Sequence, residues 1–275
     1  MLGFIGENRI LQFEEAASRV ISRVSALDGV VGIAFLGGLA RGFADRSSDL
    51  DITVFLDKSD DSLRREVGQI GLEEQKRTGV DMDLEVHHLE DFERKRWSEV
   101  DRWDFSIAKV TFDPNGKVTK MISAKLKVPE SFWIRRVVLC AEYMKWYCCP
   151  PSDNVGTIVE TSVERGDLAA AQYCLNYALD LLLRSLFALN KTFLPPQKWR
   201  LVYARNLPWL PRNYESTLVD LLTVKSVSKK DVSRRIGLIR SLWSDVSAKM
   251  TNDMGLSPDA VSRYYVEKHL HQTSG

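Results

Sequence analysis

Residues 35–54 read FLGGLARGFADRSSDLDITV, and the architecture of the first part of the chain follows from this stretch. The pair Gly37 and Gly38 directly follows a run of apolar residues, which predicts a buried strand that ends in a turn. Asp49 and Asp51 come after a spacer and begin a second predicted strand, in which polar and apolar residues alternate. Because successive side chains of a strand point to opposite faces, we expect both carboxylates on one face.

A further acidic group lies on a third predicted strand. Asp81, Asp83 and Glu85 alternate there with apolar residues, so they also share one face. Clustered carboxylates repel one another and are costly to hold together unless a cation neutralises them. Carboxylate oxygens suit Mg²⁺, and two such ions about 4 Å apart can activate a nucleophile and stabilise the leaving oxygen of a displacement. The acidic residues therefore predict a magnesium site for phosphoryl or nucleotidyl transfer.

The glycine pair and its surroundings suit the phosphates of a nucleotide. Gly37 and Gly38 allow the backbone to approach a phosphate closely, and the helix expected after them would offer N–H groups to an anion. Arg41 and Ser48 are available as further contacts to a triphosphate. We therefore expect these four residues to bind a nucleoside triphosphate.

This pattern resembles the signature of the DNA polymerase beta-like nucleotidyltransferase superfamily. That signature is an apolar strand, a Gly-Gly or Gly-Ser pair, a spacer, two aspartates separated by one apolar residue, and a third acid on a later strand. The matching segments here are Phe35-Leu36-Gly37-Gly38, Asp49-Leu50-Asp51-Ile52 and Leu84-Glu85-Val86. The resemblance covers roughly residues 28–120 and is closest in style to the aminoglycoside and lincosamide nucleotidyltransferases.

The resemblance implies an enzyme that transfers a nucleoside monophosphate, AMP from ATP being the expected case, to a hydroxyl of an acceptor with release of pyrophosphate. It implies two Mg²⁺ ions, with Asp49, Asp51 and Glu85 as the metal ligands. The third acid would also be the general base for the attacking hydroxyl. For that position we prefer Glu85, then Asp83, then Asp81.

Helical periodicity replaces strand alternation beyond about residue 117. Four strands are predicted before that point, over 30–36, 50–56, 80–88 and 107–112. Seven helices are predicted after it, over 131–147, 155–164, 167–190, 197–206, 213–224, 229–251 and 258–270. The predicted fold is therefore α+β: a small mixed-sheet nucleotidyltransferase domain over residues 1–120, followed by an all-helical bundle domain over residues 121–275.

The helical half carries a second, looser resemblance. Residues 189–199, LNKTFLPPQKW, resemble a stretch that follows the catalytic domain of antibiotic-type nucleotidyltransferases. In such proteins the helical domain closes over nucleotide and acceptor, which implies that Lys198 contacts the triphosphate. The alternative is that Lys198 and Trp199 only pack at the start of a helix.

Composition and charge limit the possible partners. The chain has 275 residues, 44% of them hydrophobic and 27% charged, and a net charge of +1, so no overall basic excess points to nucleic acid. Residues 1–130 contain 24 acidic and 19 basic side chains, whereas residues 131–275 contain 13 and 19. This division suits metal ions held together with a polyanion, or else reflects two unrelated surfaces.

Several features predict a cytoplasmic protein without a membrane segment. The four cysteines form no C-x-x-C pair, as is usual in a reducing compartment, and the adjacent Cys148 and Cys149 are poorly placed for an ordinary disulfide. The first 20 residues lack the pattern of a signal peptide, and no apolar run approaches ~18 residues.

The sequence leaves the identity of the acceptor undecided. A hydroxylated small molecule of the aminoglycoside type is the favoured acceptor. An RNA or protein acceptor is the alternative, and so is a module without catalysis that senses a nucleotide. The basic cluster that would favour RNA lacks the interleaved aromatic residues that stack on bases; it comprises Lys229, Lys230, Arg234, Arg235 and Arg240.

Overall fold

The computed structural model describes residues 6–151, 156–257 and 260–264. Its contacts divide the chain into two compact units, and the chain passes from the first to the second between Val128 and Pro129. The first unit contains a mixed sheet with helices, and the described part of the second contains helices only. The predicted α+β fold class is therefore confirmed.

A four-stranded sheet forms the centre of the first unit. Its strands are β1 (Val30–Phe35), β2 (Leu50–Leu56), β3 (Met82–His88) and β4 (Lys109–Phe112), arranged in the order β3-β2-β1-β4. Strand β1 is antiparallel to both of its neighbours, whereas β2 and β3 run parallel. All four strands lie within the ranges that the sequence predicts.

Six helices surround this sheet. They are α1 (Ile10–Val24), α2 (Gly37–Arg41), α3 (Asp61–Thr78), α4 (Leu89–Arg94), α5 (Glu99–Ser106) and α6 (Lys117–Leu126). Helices α1 and α3 cover one sheet face, where Ile52 and Val54 of β2 are buried. Helices α4 to α6 cover part of the other face around Phe55. The domain boundary predicted after residue 120 lies within α6, whose buried side chains pack in the first unit.

The second unit is organised around a long apolar helix. Its helices are α7 (Glu130–Tyr147), α8 (Ile158–Glu164), α9 (Leu168–Leu189), α10 (Gln197–Ala204), α11 (Tyr214–Leu222) and α12 (Lys229–Met254). Helix α9 is buried along most of its length and contacts α7, α8, α10 and α12. Six of the seven predicted helices correspond to these elements, and the one predicted over 258–270 lies largely outside the described residues. Across the described ranges, every helix is too short or too polar to span a membrane.

Much of the basic cluster near α12 is used inside the second unit. Arg235 is only 1% exposed and donates to the Leu221 carbonyl at 2.9 Å and to Asn176 Oδ1 at 2.7 Å. Burial lowers the pKa of Arg235. Arg234 binds Asp231 and two backbone carbonyls, and Arg240 binds Glu160. These guanidinium groups therefore connect helices rather than forming a free basic surface.

Candidate active site

The turn between β1 and α2 brings the backbone of Gly37 against the carboxylate of Asp51. Gly37 has a φ of +51°, in the left-handed region that favours glycine. A Cβ atom at this position would lie 1.4 Å from Asp51 Oδ2. The Leu36 amide also donates to the Asp51 carbonyl at 3.1 Å, which extends the pairing of β1 with β2 up to the turn. Glycine is therefore required at residue 37 both by the backbone angle and by the space that Asp51 occupies.

The second glycine of the pair is required by a different contact. A Cβ atom at Gly38 would lie 2.8 Å from the carbonyl oxygen of Phe43, because the chain folds back tightly after the short helix α2. Asn8 holds this returning segment, donating to the Gly42 carbonyl at 3.2 Å and accepting from the Ala44 amide at 3.2 Å. The glycine pair thus allows a compact turn beside Asp51.

Ser48 closes the loop that leads into the acidic pair. Its hydroxyl donates to Asp45 Oδ1 at 3.1 Å and accepts from the Asp45 amide at 3.0 Å. Sequence reasoning proposed Ser48 as a triphosphate contact, and here its hydroxyl shapes the approach to Asp49. That predicted contact is not tested by these hydrogen bonds, so it stays a prediction.

Asp49 and Asp51 flank the buried residue Leu50 at the start of β2. Leu50 and Ile52 point into the core formed with α1 and α3, so Asp51, which lies between them, belongs to the opposite face of the sheet. Asp49 immediately precedes the strand. Asp49 is exposed and Asp51 is half-buried. Asp51 therefore lies on one sheet face next to the glycine turn, and Asp49 lies just before the strand that carries it.

The register of β2 and β3 distinguishes the candidates for the third acid. Asp83 lies directly across from Asp51, whereas Glu85 lies across from Thr53, two residues further along the strand. The Glu85 carboxylate is 3.0 Å from His87 Nε2. Of these two acids, Asp83 is therefore the one beside the acidic pair of β2.

The remaining candidate, Asp81, precedes β3. Its carbonyl accepts from the Leu50 amide at 2.9 Å and its Oδ1 accepts from Gln75 at 2.9 Å. Asp81 therefore links β2, the start of β3 and α3.

The donor set suits a magnesium ion bound jointly with a nucleotide. Throughout the described residues, no three His, Cys, Asp or Glu side chains lie close enough together to hold a metal ion. The predicted ligands Asp49, Asp51 and Glu85 therefore do not form a preassembled three-ligand site. Magnesium commonly uses only one or two protein carboxylates and completes its coordination with water and substrate phosphates. Asp49 and Asp51 meet that requirement.

A cation that sequence reasoning missed supports the glycine turn. Lys109, the first residue of β4, pairs across the sheet with Phe35, just before the turn. Its Nζ donates to the Leu39 carbonyl of α2 at 3.1 Å. The only local signal was a lysine within a predicted strand, because the contact joins positions 70 residues apart.

The other predicted cations lie at two different places. Arg41 is the last residue of α2 and thus belongs to the same turn as Gly37. Lys198 lies on α10 of the second unit, with its Nζ 5.7 Å from the centre of the Trp199 ring. Its predicted contact with a triphosphate stays a prediction.

An aromatic cluster covers the far end of the same sheet face. The ring of Phe92 on α4 lies 5.3 Å from Phe55, 4.6 Å from His87 and 5.5 Å from Trp97, measured between ring centres. Phe105 of α5 stacks beside Trp97 at 4.7 Å. The face thus changes from carboxylates at the start of β2 and β3 to packed rings at their end.

Three solved structures resemble parts of the chain at low identity. One is a toxin–antitoxin with AMP-PNP, with 16% identity, 48% of this chain and 98% of that chain covered, and a TM-score of 0.33. A second is a tri-AMPylated HEPN toxin in complex with its MNT antitoxin from Shewanella oneidensis, with 14% identity, 49% and 97% covered, and a TM-score of 0.30. A third is a nucleotidyltransferase-like protein from Exiguobacterium sibiricum, with 13% identity, 86% and 76% covered, and a TM-score of 0.38.

The comparison with protein families is more informative. A search of curated protein sequences returned no significant match. The family model of the nucleotidyltransferase domain, however, matches residues 17–110. This range contains the glycine turn, the acidic pair and all three candidates for the third acid. The match supports the resemblance of residues 17–110 to the nucleotidyltransferase domain family, whereas the likeness to aminoglycoside-type enzymes stays a prediction.

Proposed function

We propose that this chain is a magnesium-dependent enzyme that transfers a nucleoside monophosphate from a nucleoside triphosphate, ATP first, to a hydroxyl of an acceptor. The acceptor oxygen bonds to the α-phosphorus, the bond from that phosphorus to the bridging oxygen breaks, and pyrophosphate leaves. The hydroxyl proton passes to a carboxylate of the sheet. The observation that carries this proposal is the packing of Gly37 against Asp51, beside Asp49, in a nucleotidyltransferase domain.

Each part of the site has a distinct task in this proposal. Asp49 and Asp51 would hold the magnesium ions, which would supply Lewis-acid stabilisation of the negative charge on the phosphates and the leaving oxygen. The backbone of the Gly37 turn, together with Arg41 on α2, contacts the triphosphate. Lys109 keeps α2 in place through the Leu39 carbonyl.

The strand register supports Asp83, rather than Glu85, as the acid that acts with Asp51. Asp83 is the direct neighbour of Asp51 across the β2–β3 pair, and its side chain is exposed and therefore accessible to an acceptor hydroxyl. Glu85 lies further from the glycine turn and contacts His87. We therefore propose Asp83 as the general base. Glu85 would add negative charge to the face of β3 that meets the acceptor.

A cationic, hydroxylated small molecule of the aminoglycoside type suits the charge of this face. Asp81, Asp83 and Glu85 are all exposed along β3. Such a row of carboxylates attracts an acceptor that carries ammonium groups and repels the phosphates of RNA. The charge of this face therefore favours the small-molecule acceptor over the RNA acceptor.

The test compares variants with equal loss of charge. Pyrophosphate release is measured with each of four nucleoside triphosphates, a panel of aminoglycosides, and either Mg²⁺ or excess chelator. Asp49→Asn/Asp51→Asn should lose more than about 100-fold of the wild-type rate, because both metal-binding carboxylates are removed. The control is Asp28→Asn/Glu66→Gln, which removes two exposed carboxylates elsewhere in the first unit and should retain the rate.

Separate measurements of nucleotide binding and of turnover distinguish an error in the assigned site from an error in the assigned acceptor. Unchanged release by the Asp49→Asn/Asp51→Asn variant would contradict the assigned site. Calorimetry that detects Mg²⁺-dependent nucleotide binding to the wild type, without turnover on any aminoglycoside, would instead reject the small-molecule acceptor and direct the search to protein hydroxyls.

A further inference from the structure

A cleft with a volume of about 370 Å³ lies within the second unit and is lined by α7, α12 and the chain that follows each of them. Three of its lining side chains are buried: Met250 of α12, and Leu256 and Val261, which come after that helix. Because buried side chains line it, the cleft reaches the core of the unit. Its volume is within the range of roughly 300–1,000 Å³ that is usual for sites of small molecules.

Helix α12 supplies one wall of this cleft. Its contributions are the side chains of Arg240, Trp243, Ser244, Ser247 and Met250. Spacings of three and four residues place them on one side of the helix. The wall thus combines apolar surface with a guanidinium group and two hydroxyls, and a mainly apolar lining with a few polar groups is characteristic of ligand sites.

Two cations of the lining are held in place by the second unit itself. Lys145 of α7 donates from Nζ to Glu142 Oε1 at 2.7 Å. Arg240 donates from Nε to the Cys148 carbonyl at 2.8 Å and from Nη2 to Glu160 Oε1 at 2.7 Å. These bonds fix both cationic groups, so a ligand that binds them would cost little further loss of side-chain freedom.

The carboxylates that pair with these cations lie outside the lining. Neither Glu142 nor Glu160 lines the cleft, and no other carboxylate does so among the described residues. An ammonium group has three N–H donors and a guanidinium group has five, so the bonds of Lys145 and Arg240 leave donors for a ligand. The cleft therefore presents positive charge and hydrogen-bond donors.

The adjacent cysteines at the end of α7 add no negative charge to the cleft. Cys149 lines it and is buried, and both cysteines are free thiols. Hydrogen bonding with the Cys148 thiol, together with burial, raises the pKa of the Cys149 thiol. The thiol therefore stays protonated at neutral pH and contributes a neutral, polarizable surface.

We propose that this cleft binds a small molecule that has an apolar body and a carboxylate group. The apolar body packs against the Trp243 ring and the buried side chains of Met250 and Val261. The carboxylate accepts hydrogen bonds from Lys145 and Arg240, as charged donors and acceptors form the stronger hydrogen bonds. Because such a ligand binds the folded unit and contacts α7, α12 and the chain after α12, it raises the melting temperature.

The first experiment compares three probes that share one apolar body and differ in charge: 4-phenylbutyrate, 4-phenylbutanol and 4-phenylbutylamine. Calorimetry on the full chain without nucleotide should give a Kd below about 1 mM for the carboxylate and binding at least about 10-fold weaker for the amine. The carboxylate should also raise the melting temperature most. A carboxylate that does not bind below about 1 mM, or an amine that binds equally well, would overturn the proposal.

A bulky side chain in the cleft tests its location. Ser244 lines the cleft and is exposed, so Ser244→Trp should fold and abolish binding of 4-phenylbutyrate. The matched control is Ser241→Trp, at an exposed position of the same helix outside the lining, which should retain binding. Circular dichroism checks that both variants are folded. Full binding by a folded Ser244→Trp variant would place the probe elsewhere.

Removal of an ion pair tests the role of the lining cation. Lys145→Met/Glu142→Gln should reduce the preference for 4-phenylbutyrate over 4-phenylbutanol several-fold. The control Lys249→Met/Asp253→Asn removes another ion pair of the second unit, with 2.6 Å between Nζ and Oδ2, and should keep that preference because neither residue lines the cleft. An equal preference in the two variants would contradict the contact between Lys145 and the carboxylate.

Discussion

The two ends of one sheet face in the first unit differ sharply although the strands follow the same alternation. At the start of β2 and β3 this face presents Asp51, which is half-buried, beside Asp83, which is exposed. At the end it presents Phe55 and His87, which pack against Phe92. Strand periodicity is equal at both ends, so the difference arises from the helices that cover one end and leave the other open.

This comparison separates the residues that stabilise the unit from those that are available for chemistry. Rings at the covered end lose contact with water and gain packing energy. Carboxylates at the open end repel one another, and only a bound cation would offset that repulsion. Substitutions at the aromatic end should therefore lower the stability of the unit, and substitutions at the carboxylate end should lower its activity.

Removal of the central ring should have the largest effect on stability. Phe92 is 5% exposed and contacts Phe55, His87, Trp97 and Phe105. Phe92→Ala should lower the free energy of unfolding by about 3–5 kcal/mol, measured by urea denaturation. The control Leu72→Ala, at a residue 54% exposed, should change it by less than about 0.5 kcal/mol. Equal effects of the two variants would contradict the role of the aromatic cluster.

Filling the glycine turn should have the largest effect on activity. Gly37→Ala places a methyl group where Asp51 Oδ2 lies, so nucleotide-dependent pyrophosphate release should fall by at least about 100-fold. Gly42→Ala is the matched control, because Gly42 also has a positive φ, +74°, but nothing lies within 4 Å of the added carbon. If both variants lose the same activity, backbone strain rather than contact with Asp51 is responsible.

The third acid can be identified by a pair of variants with equal change in charge. Asp83→Asn should reduce pyrophosphate release about 10-fold more than Glu85→Gln, because Asp83 is the neighbour of Asp51. Initial rates at saturating nucleotide, measured across a pH series, would compare the two. The reverse order would assign the role to Glu85, as the family resemblance alone suggests.

The smallest expected effect is a pH dependence at the end of β3. A hydrogen bond from His88 to Asp91 raises the pKa of His88, and a further bond to the Asp57 carbonyl acts in the same direction. A raised folded-state pKa gives stabilisation that is complete below the unfolded value, ~6.5, and is lost as pH rises through the folded value. The melting temperature of the wild type should therefore exceed that of His88→Gln more at about pH 5.5 than at about pH 8.5.

Asp91, which accepts the hydrogen bond from His88, provides the control. In the Asp91→Asn background, substitution of His88 should produce a smaller difference between the two pH values, because the hydrogen bond to Asp91 makes the largest contribution to the raised pKa. A pH-dependent difference of full size in that background would assign the effect to another group.

Local patterns accounted for the elements whose signals lie within a few residues. The four strands and most of the helices were predictable because hydrophobic periodicity is a property of the segment itself. The six-residue α4, the eight-residue α5 and the ten-residue α6 were missed, and the first two are too short to show a helical period. Helix α5 does carry a readable signal, a capping box formed by Ser98 and Asp101.

Contacts between distant segments were beyond prediction from a single sequence. The bond from Lys109 to the Leu39 carbonyl, the pairing of Asp51 with Asp83 and the burial of Arg235 among three helices each depend on strand order or helix packing. Exposure of Trp146 and Tyr173 could not be predicted either, because an apolar residue on a helix is usually assigned to the core.

The sequence by itself determined that a glycine turn precedes a half-buried strand that carries Asp51, because both follow from the two-residue period of a strand and the conformational freedom of glycine. Only the tertiary structure decided which acid lies beside Asp51 and which end of the sheet is open. The register of two strands and the placement of helices over a sheet face depend on how segments far apart in the chain pack against each other. No local pattern specifies that packing.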